Sequence, residues 1–484
     1  MNVLYIIDRF SVVEPMGVMQ LSAVTKPIGH KNFIASHQEG FIPEIIRKYG
    51  IDAVGMSIMS TEAKKFYNLS RSLRQEFPNL IQIAGGPHPT FYPKIIETWD
   101  LDAIVLGEGE RVVIPLLERL FVGQDISDLL GVHTKNFKNP QPCLIEDLNS
   151  VPFVDRELVE NIAPFRDVSM KTIFATRGCP FNCAYCFNAA YKKLYDGKGP
   201  IIRRRSVENV ISELTEVKAR YNPSFIRFGD DTLIVRHEEW LEQFCKEYRK
   251  HIAIPFYCLV HPQIANEPIV KLLKGAGCHS VMMGIESGIE EVRRKLLNRW
   301  ISNEKVRESF DLFRKHGIKV FGNTILAIPE TTIEDDIKSL EFTLDCRPYY
   351  SGFSIFTPFP GTPLGDYARQ MGYVKDFEEE SSLPISIQAG SVLNTVTDKE
   401  REIHHNILAL APVANLFPVL RKIITRQLIY WKPNFIFDAV GFLVRNYCNM
   451  KVWPFKKSSS SFFRIFLQVL KIDKSNYYTK SDKN

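Results

Sequence analysis

The 484-residue chain has no run of about 20 uninterrupted apolar residues, so no segment offers the length of a membrane-spanning helix. Met1-Asn-Val-Leu-Tyr-Ile-Ile7 runs straight into an aspartate, with no basic stretch before it and no cleavage site after it. It reads as a first strand rather than a signal peptide. Nine cysteines are too few and too scattered for a disulfide framework. An odd number, with three of them in one loop, suits a reducing cytoplasm and a metal. Net positive charge is lacking over most of the chain. The formal charge is +6, but from Arg445 onward nine Lys/Arg face two Asp/Glu, a net of +7, leaving about −1 on the rest. That excludes a general nucleic-acid-binding body. A G-x-G-x-x-G turn is absent as well: the loop after the first strand reads Asp8-Arg-Phe-Ser-Val-Val-Glu-Pro-Met-Gly17, which removes the dinucleotide-binding fingerprint.

What is present is an ordinary globular composition, 45% hydrophobic and 24% charged, in a chain long enough for two or three domains. Over residues 1–125, apolar β-rich runs (Val3–Ile7, Ala53–Ile58, Ile81–Ala84, Ala103–Leu106) alternate with helical patterns at Ile42–Tyr49, Glu62–Phe77 and Glu110–Phe121. This predicts an α/β domain with a doubly wound parallel sheet, whose ligands sit at the carboxyl ends of the strands. Residues 126–168 are polar and turn-rich and read as a linker; Cys143 lies there alone. From Lys171 a second βα series begins. Six strands are expected, from Thr172–Thr176 to Phe353–Thr357, alternating with six helices, which predicts a partial (β/α)6 barrel over 169–376. Beyond 377 the rhythm stops. Residues 377–484 read as a mainly helical cap with a basic tail: Arg401–Arg426 interrupted by Pro412 and Pro418, Phe435–Asn449, and an amphipathic Phe462–Ile472.

The most informative stretch is Cys179-Pro-Phe-Asn-Cys183-Ala-Tyr-Cys186, directly after the first strand of the second series. Three thiols at C-x3-C-x2-C spacing converge on one centre, and thiolates select iron–sulfur clusters, zinc or copper(I) over hard cations. A cubane takes four ligands and the loop offers three, which leaves one iron open. A zinc knuckle with a distant fourth ligand is the alternative that spacing leaves standing. At other strand ends, Asp230 and Asp231 are candidates for a substrate- or proton-handling pair, or else caps of the next turn. Glu286, followed by Ser287, ends an otherwise apolar strand, and a buried carboxylate there should face a site or an arginine. Cys245, Cys258, Cys278 and Cys346 fall on helices or strands, where cysteine packs as a small hydrophobe.

Over about Ser169 to Gly372 the chain resembles the radical S-adenosylmethionine (SAM) superfamily. The resemblance rests on the cysteine loop, Phe228-Gly-Asp-Asp-Thr232, Met283-Gly-Ile-Glu-Ser-Gly288 and Thr357-Pro-Phe-Pro-Gly-Thr-Pro-Leu364; Gly322–Thr332 matches only in its small residues and proline. It implies a [4Fe–4S] cluster on Cys179, Cys183 and Cys186, with SAM on the fourth iron through its amino and carboxylate groups, and a 5′-deoxyadenosyl radical. It also implies Tyr185 against the adenine, and Glu286 and Ser287 at the ribose or amino group. Met1 to Gly123 resembles the cobalamin-binding domain found upstream of many such enzymes, through Glu14-Pro-Met-Gly17, Gly29-His30, Ile51-Asp-Ala-Val-Gly-Met-Ser57, Gly85-Gly86-Pro-His-Pro89 and Gly107-Glu-Gly-Glu110. Ser57, Gly85 and Gly86 would then line the pocket for the nucleotide tail of cobalamin. The D-x-H-x-x-G motif is missing, and neither His30, placed near the end of the first helix, nor His88 occupies its position. The resemblance therefore implies cobalamin held without a histidine from that motif, and His88 reads as a turn residue.

The resulting expectation is a cobalamin-dependent radical SAM methyltransferase acting on an unactivated carbon of a small or lipid-like substrate. An external electron donor such as flavodoxin or ferredoxin would feed it. The alternatives are ring formation, as in the anaerobic porphyrin-ester cyclases, and a cobalamin- or metal-binding sensor without turnover. A methylthiotransferase fits less well, because only Cys143 precedes Cys179 and no second cluster can be built upstream. For the basic, aromatic-rich end, two readings stand: contact with an anionic membrane surface, or a helical cap over the barrel with a solvated tail.

Overall fold

Short apolar strands alternating with amphipathic helices build two parallel sheets. The computed structural model describes residues 1–236, 238–374, 388 and 390–455. Contacts divide the chain into two units, one of Met1–Val168, Ala190–Arg203 and Phe359–Gly361, the other of Ser169–Ala189, Arg204–Pro358 and Thr362 onward.

The first unit runs β1 (Asn2–Ile7), α1 (Met16–Thr25), β2 (Lys31–Ser36), α2 (Ile42–Tyr49), β3 (Ala53–Ser57), α3 (Ala63–Glu76), β4 (Ile81–Gly85), α4 (Pro87–Phe91), α5 (Ile95–Thr98), β5 (Ala103–Val105), α6 (Val113–Phe121), β6 (Val132–His133) and α7 (Glu157–Glu160). The sheet order is β2-β1-β3-β4-β5-β6, parallel except for the β5–β6 pair. Alternate residues of β1 enter opposite cores, Leu4 and Ile6 with Phe66 and Trp99, Val3 and Tyr5 with Leu116 and Val132. Both faces are thus covered, as a doubly wound sheet requires. Strand β2 has no counterpart among the sequence-predicted strands. As the edge strand it is exposed or half-buried over Lys31–Ile34, so its sequence is half polar and lacks an apolar run. His30 immediately precedes this strand rather than ending a helix, which corrects its expected position. The segment expected as a linker, 126–168, contributes β6 to the sheet and packs in this unit, with Asp155 N–H donating to Met19 O at 3.1 Å.

The second unit contains β7 (Met170–Ile173), β8 (Thr176–Arg177), α8 (Phe187–Leu194), β9 (Arg203–Arg204), α9 (Val207–Tyr221), β10 (Phe225–Phe228), α10 (Glu239–Glu247), β11 (Phe256–Leu259), α11 (Glu267–Ala276) and β12 (Cys278–Glu286), with α8 and β9 running over the limits between units. It continues through α12 (Glu290–Lys295), α13 (Asn303–Lys315), β13 (Lys319–Leu326), α14 (Ile333–Asp345), β14 (Tyr350–Ile355) and α15 (Pro363–Gln370). Its six parallel strands stand in the order β14-β13-β12-β11-β10-β7, with β7 and β14 as the two edges. This is the partial barrel: consecutive strands are neighbours, and helices α9, α10, α11 and α13 bury Val210, Phe244, Leu273 and Phe310 in one core with the strands.

The cap comprises α16 (Asp398–Leu416), α17 (Arg421–Arg426) and α18 (Phe435–Val452). A Thr397/Glu400 capping box starts α16, which then runs through Pro412 and stops before Pro418. Only the second proline interrupts it, which corrects the sequence expectation. Buried His404 of α16 lies 2.7 Å from Asp336 of α14, and Asp336 also accepts Ala327 N–H at 3.0 Å, so the cap ties down the end of β13. The amphipathic stretch Phe462–Ile472 and the basic tail lie outside the described residues.

Candidate active site and cofactor cradle

The cysteine loop leaves the carboxyl end of the β7–β8 segment through Gly178, whose φ of +85° only glycine adopts freely. It is anchored from outside. Ala184 N–H donates to Leu297 O at 2.9 Å, Leu364 N–H to Ala184 O at 2.9 Å, and Asn298 Nδ2 to Asn182 O at 2.8 Å. Cys183 is buried; Cys179 and Cys186 are half-buried. Arg299 Nη1 lies 3.7 Å from Cys183 Sγ, and Asn188 Nδ2 lies 3.7 Å from Cys186 Sγ. Burial pushes the Cys186 thiol up to about 12, so a metal that claims this sulfur must displace its proton. Among the described residues the nine cysteines form no disulfide. Among the described residues no three His, Cys, Asp or Glu side chains converge as ligands of a single ion. In a cubane each cysteine takes its own iron, so a soft three-thiol donor set on one loop fits that group.

The two aspartates bracket this loop. Asp230 is 1% exposed, and its Oδ1 accepts from Ala175 N–H at 2.9 Å, Thr176 N–H at 2.5 Å and Thr176 Oγ1 at 2.7 Å. Its Oδ2 is buried without a partner, and burial pushes the carboxyl up to about 6. Asp231 bonds Asn188 and the Gly178 N–H, and burial raises it too. Asp230 thus holds the chain entering the loop, and Asp231 ties its first turn to the asparagine beside Cys186. These contacts position the loop.

Facing the loop, β12 ends in a bulge between Gly284 and Glu286, and Glu286 adopts φ +66°. A Cβ at Gly284 would lie 1.9 Å from Glu286 Oε1, so the bare glycine makes room for the carboxylate. Glu286 bonds Tyr185 and Asn323, and its Oε1 stands 4.0 Å from Arg299 Nη1. Burial raises its pKa against the pull of Arg299. Burial, then the Glu286 carboxylate, likewise raise the Tyr185 phenol. Burial opposes the charge of Arg299, yet Tyr185, Glu286 and Cys183 together hold its pKa above the usual value. Arg299 Nη2 also donates to Gly284 O at 2.6 Å. Glu286 Oε2 and Arg299 Nε remain buried without partners, one an acceptor and one a donor.

Ser287 does not join them. Its hydroxyl meets Ser339 Oγ of α14 at 3.2 Å and Ile289 N–H at 3.2 Å, and it is 2% exposed. The β12 bulge turns its hydroxyl into the packing with α14. Two residues that sequence reasoning passed over stand here. Arg299 lies in a loop with no motif around it, and its signal would have been the need of Glu286 for a cation. His261, just past β11, stacks on Phe181 of the cysteine loop with ring centroids 3.6 Å apart. Gln263 N–H donates to its Nδ1 at 3.2 Å, and burial, then Arg299, push its pKa down to about 2.

In the first unit, Ser57, Gly85 and Gly86 do come together. Ser57 pairs with Gly85 across β3 and β4, and a Cβ at Gly86 would lie 3.6 Å from Ser57 Oγ and 3.1 Å from the Ile58 backbone. Gly86 has φ +93°, so this turn requires glycine. The residues occupy the carboxyl edge beside the point where the chain winds from β1 to β2 on one side and β3 on the other, the usual ligand position of such sheets. At the same edge Asp8 pairs with Lys65 at 2.8 Å, and Glu108 pairs with Arg203 at 2.8 Å. A hydroxyl-and-glycine edge of this kind fits a nucleotide tail. His88 is folded into the core instead. It is 3% exposed, lies 3.2 Å from Ser60 Oγ, packs with Tyr92 and Trp99, and is pushed down to about 4 by burial.

Comparison with known proteins agrees with both halves. Residues 3–116 match the B12 binding domain, and residues 173–343 match the radical SAM superfamily. The chain is 28% identical over 365 residues to an uncharacterized methyltransferase of Pyrococcus horikoshii, covering 73% of this chain and 78% of that protein. It is 24% identical over 392 residues to the bacteriochlorophyllide d C-8(2)-methyltransferase of Chlorobaculum tepidum, covering 77% and 80%. Among solved structures, the cobalamin-dependent S-adenosylmethionine radical enzyme OxsB, with aqua-cobalamin and S-adenosylmethionine bound, superposes with a TM-score of 0.65 at 14% identity, over 98% of this chain and 80% of that one. That likeness establishes the fold. The chain thus carries a B12-binding domain ahead of a radical SAM domain.

Proposed function

We propose that the protein cleaves SAM at a cluster held by Cys179, Cys183 and Cys186 and methylates an unactivated carbon of a small or lipid-like substrate, with cobalamin seated on Ser57, Gly85 and Gly86. The observation that carries this reading is the three-thiol loop at the carboxyl end of a parallel barrel, with a buried arginine and carboxylate beside it. When bound, the cofactors supply one electron to the sulfonium, a 5′-deoxyadenosyl radical and the methyl group. The chain supplies placement. Asp230 and Asp231 hold the loop, Arg299 and Glu286 offer a donor and an acceptor suited to the carboxylate and amino groups of SAM, and Tyr185 offers an aromatic face to its adenine. An external one-electron donor of the flavodoxin or ferredoxin type completes the cycle. Nine cysteines that form no disulfide support a reducing, cytoplasmic setting. Among the described residues no helix is long and apolar enough to cross a membrane.

Anaerobic reconstitution with iron, sulfide, SAM, cobalamin and dithionite tests the reading. The expected result is 5′-deoxyadenosine from the native protein and none from the Cys179→Ala/Cys183→Ala/Cys186→Ala variant. Nucleoside formation that survives in the triple variant sinks the assignment, and its absence from both favours the sensor. A product heavier by one methylene separates methyl transfer from ring formation.

A further inference from the structure

The outer face of α18 is apolar and faces water. Ile436, Val440, Leu443, Tyr447 and Met450 follow one another at steps of four, three, four and three residues, one stripe of a helix, and all are exposed. The opposite face is already used. Phe437, Gly441, Cys448 and Val452 are buried, and a Cβ at Gly441 would lie 2.3 Å from Ala409 O of α16. A helix apolar on all sides is normally buried all round; this one is covered on one side only. Just before the stripe, Tyr430, Trp431 and Phe435 are exposed, Phe435 by 82%. About half of the exposed large apolar side chains among the described residues fall within 417–450.

The chain around this patch is mostly basic, with Arg421 already paired with Asp345 of α14 at 2.8 Å. Residues 417–455 contain six Lys/Arg and a single acidic residue, Asp438. Asp438 is engaged by His405 at 2.8 Å. Lys422, Arg426, Lys432 and Lys451 are exposed. The chain beyond Phe455 adds seven Lys/Arg against two Asp. Two copies of such a surface would bring like charges together, whereas anionic headgroups complement it. Indole and phenol rings beside an apolar stripe suit the boundary between headgroups and acyl chains.

We propose that the exposed face of α18, with Trp431 and Phe435 at its start, docks the protein on an anionic lipid surface, lying in the interface without crossing it. This surface is distinct from the basic tail and stands whatever the fate of the catalytic reading.

Flotation of the full-length protein with phosphatidylcholine vesicles, with and without phosphatidylglycerol, tests the proposal. The native protein is expected to float with the anionic vesicles, less so as salt rises. The Ile436→Glu/Leu443→Glu variant should lose about tenfold or more of its partitioning with an unchanged melting temperature, since both sites are exposed. Lys456→Glu/Lys457→Glu should weaken binding only partly. Brominated acyl chains should quench tryptophan emission in the native protein and not in Trp431→Phe, a readout that holds even if the stripe variant misfolds. No vesicle binding by the native protein overturns the proposal. So does a stripe variant that binds normally, loss of binding on tail reversal alone, or a native dimer that the stripe variant converts to monomer.

Discussion

The residues that organise the site are those whose charge or backbone would be costly elsewhere. Arg299 is buried among Cys183, Glu286 and Tyr185, and removing it strands a carboxylate away from water. Arg299→Met should therefore destabilise the fold by about 3–5 kcal/mol, read by denaturant unfolding. Glu286 in the left-handed region carries about 1–2 kcal/mol of backbone strain, which persists because the surroundings enforce it. At the carboxyl edge of the first sheet, burial and then Asp8 push Glu62 from 4.5 up to about 7. Folding thus favours its protonated form, so the stability it contributes is complete below 4.5 and lost as the pH rises through about 7. Melting temperatures measured across that window should fall more for the native protein than for Glu62→Gln. Cysteines 179, 183 and 186 were legible from their spacing alone. The partner of Glu286 was not, because Arg299 lies 13 positions away in a loop, and only the fold of β12 and the following turn brings the two together.

Among elements, central strands were easier to read than edges. Residues Ala53–Ser57 and Ile81–Gly85 are buried on both faces and show as apolar runs, whereas the half-polar β2 left no such trace. Helix α16 passing Pro412 is the opposite case: burial of Ala409 to Ala414 against β14, α17 and α18 outweighs the local cost of the ring. The α16–α18 contact depends on Gly441, whose Cβ position is occupied by the Ala409 carbonyl, a backbone group that cannot swing aside. Gly441→Ala should therefore force the helices apart at a cost of about 1–3 kcal/mol, seen as a lower melting temperature. The same variant should weaken lipid binding, since α18 presents its stripe only while docked on α16.

At the level of the whole molecule, the chain distributes its chemistry by position. One sheet offers small residues at its carboxyl edge, the second offers thiols, a cation and a carboxylate, and the net positive charge is kept to the end. The net +7 from Arg445 onward against about −1 elsewhere means that raised salt should weaken vesicle binding more than stability. Deoxyadenosine formation measured in the presence and absence of vesicles would report whether lipid binding and turnover are coupled.

By itself the sequence determined what local spacing and alternation can encode: two βα series, the three-thiol loop at a strand end, the glycine turn at 85–86, and a cap outside the strand rhythm. These depend on residues close together in the chain, where side-chain type and backbone preference act directly. Only the tertiary structure decided that Asp230 and Asp231 brace the loop, that Ser287 turns away while Arg299 and His261 turn in, and that α18 keeps an uncovered face. Each of these turns on which side chain meets which across tens of residues, and on what burial then does to its charge.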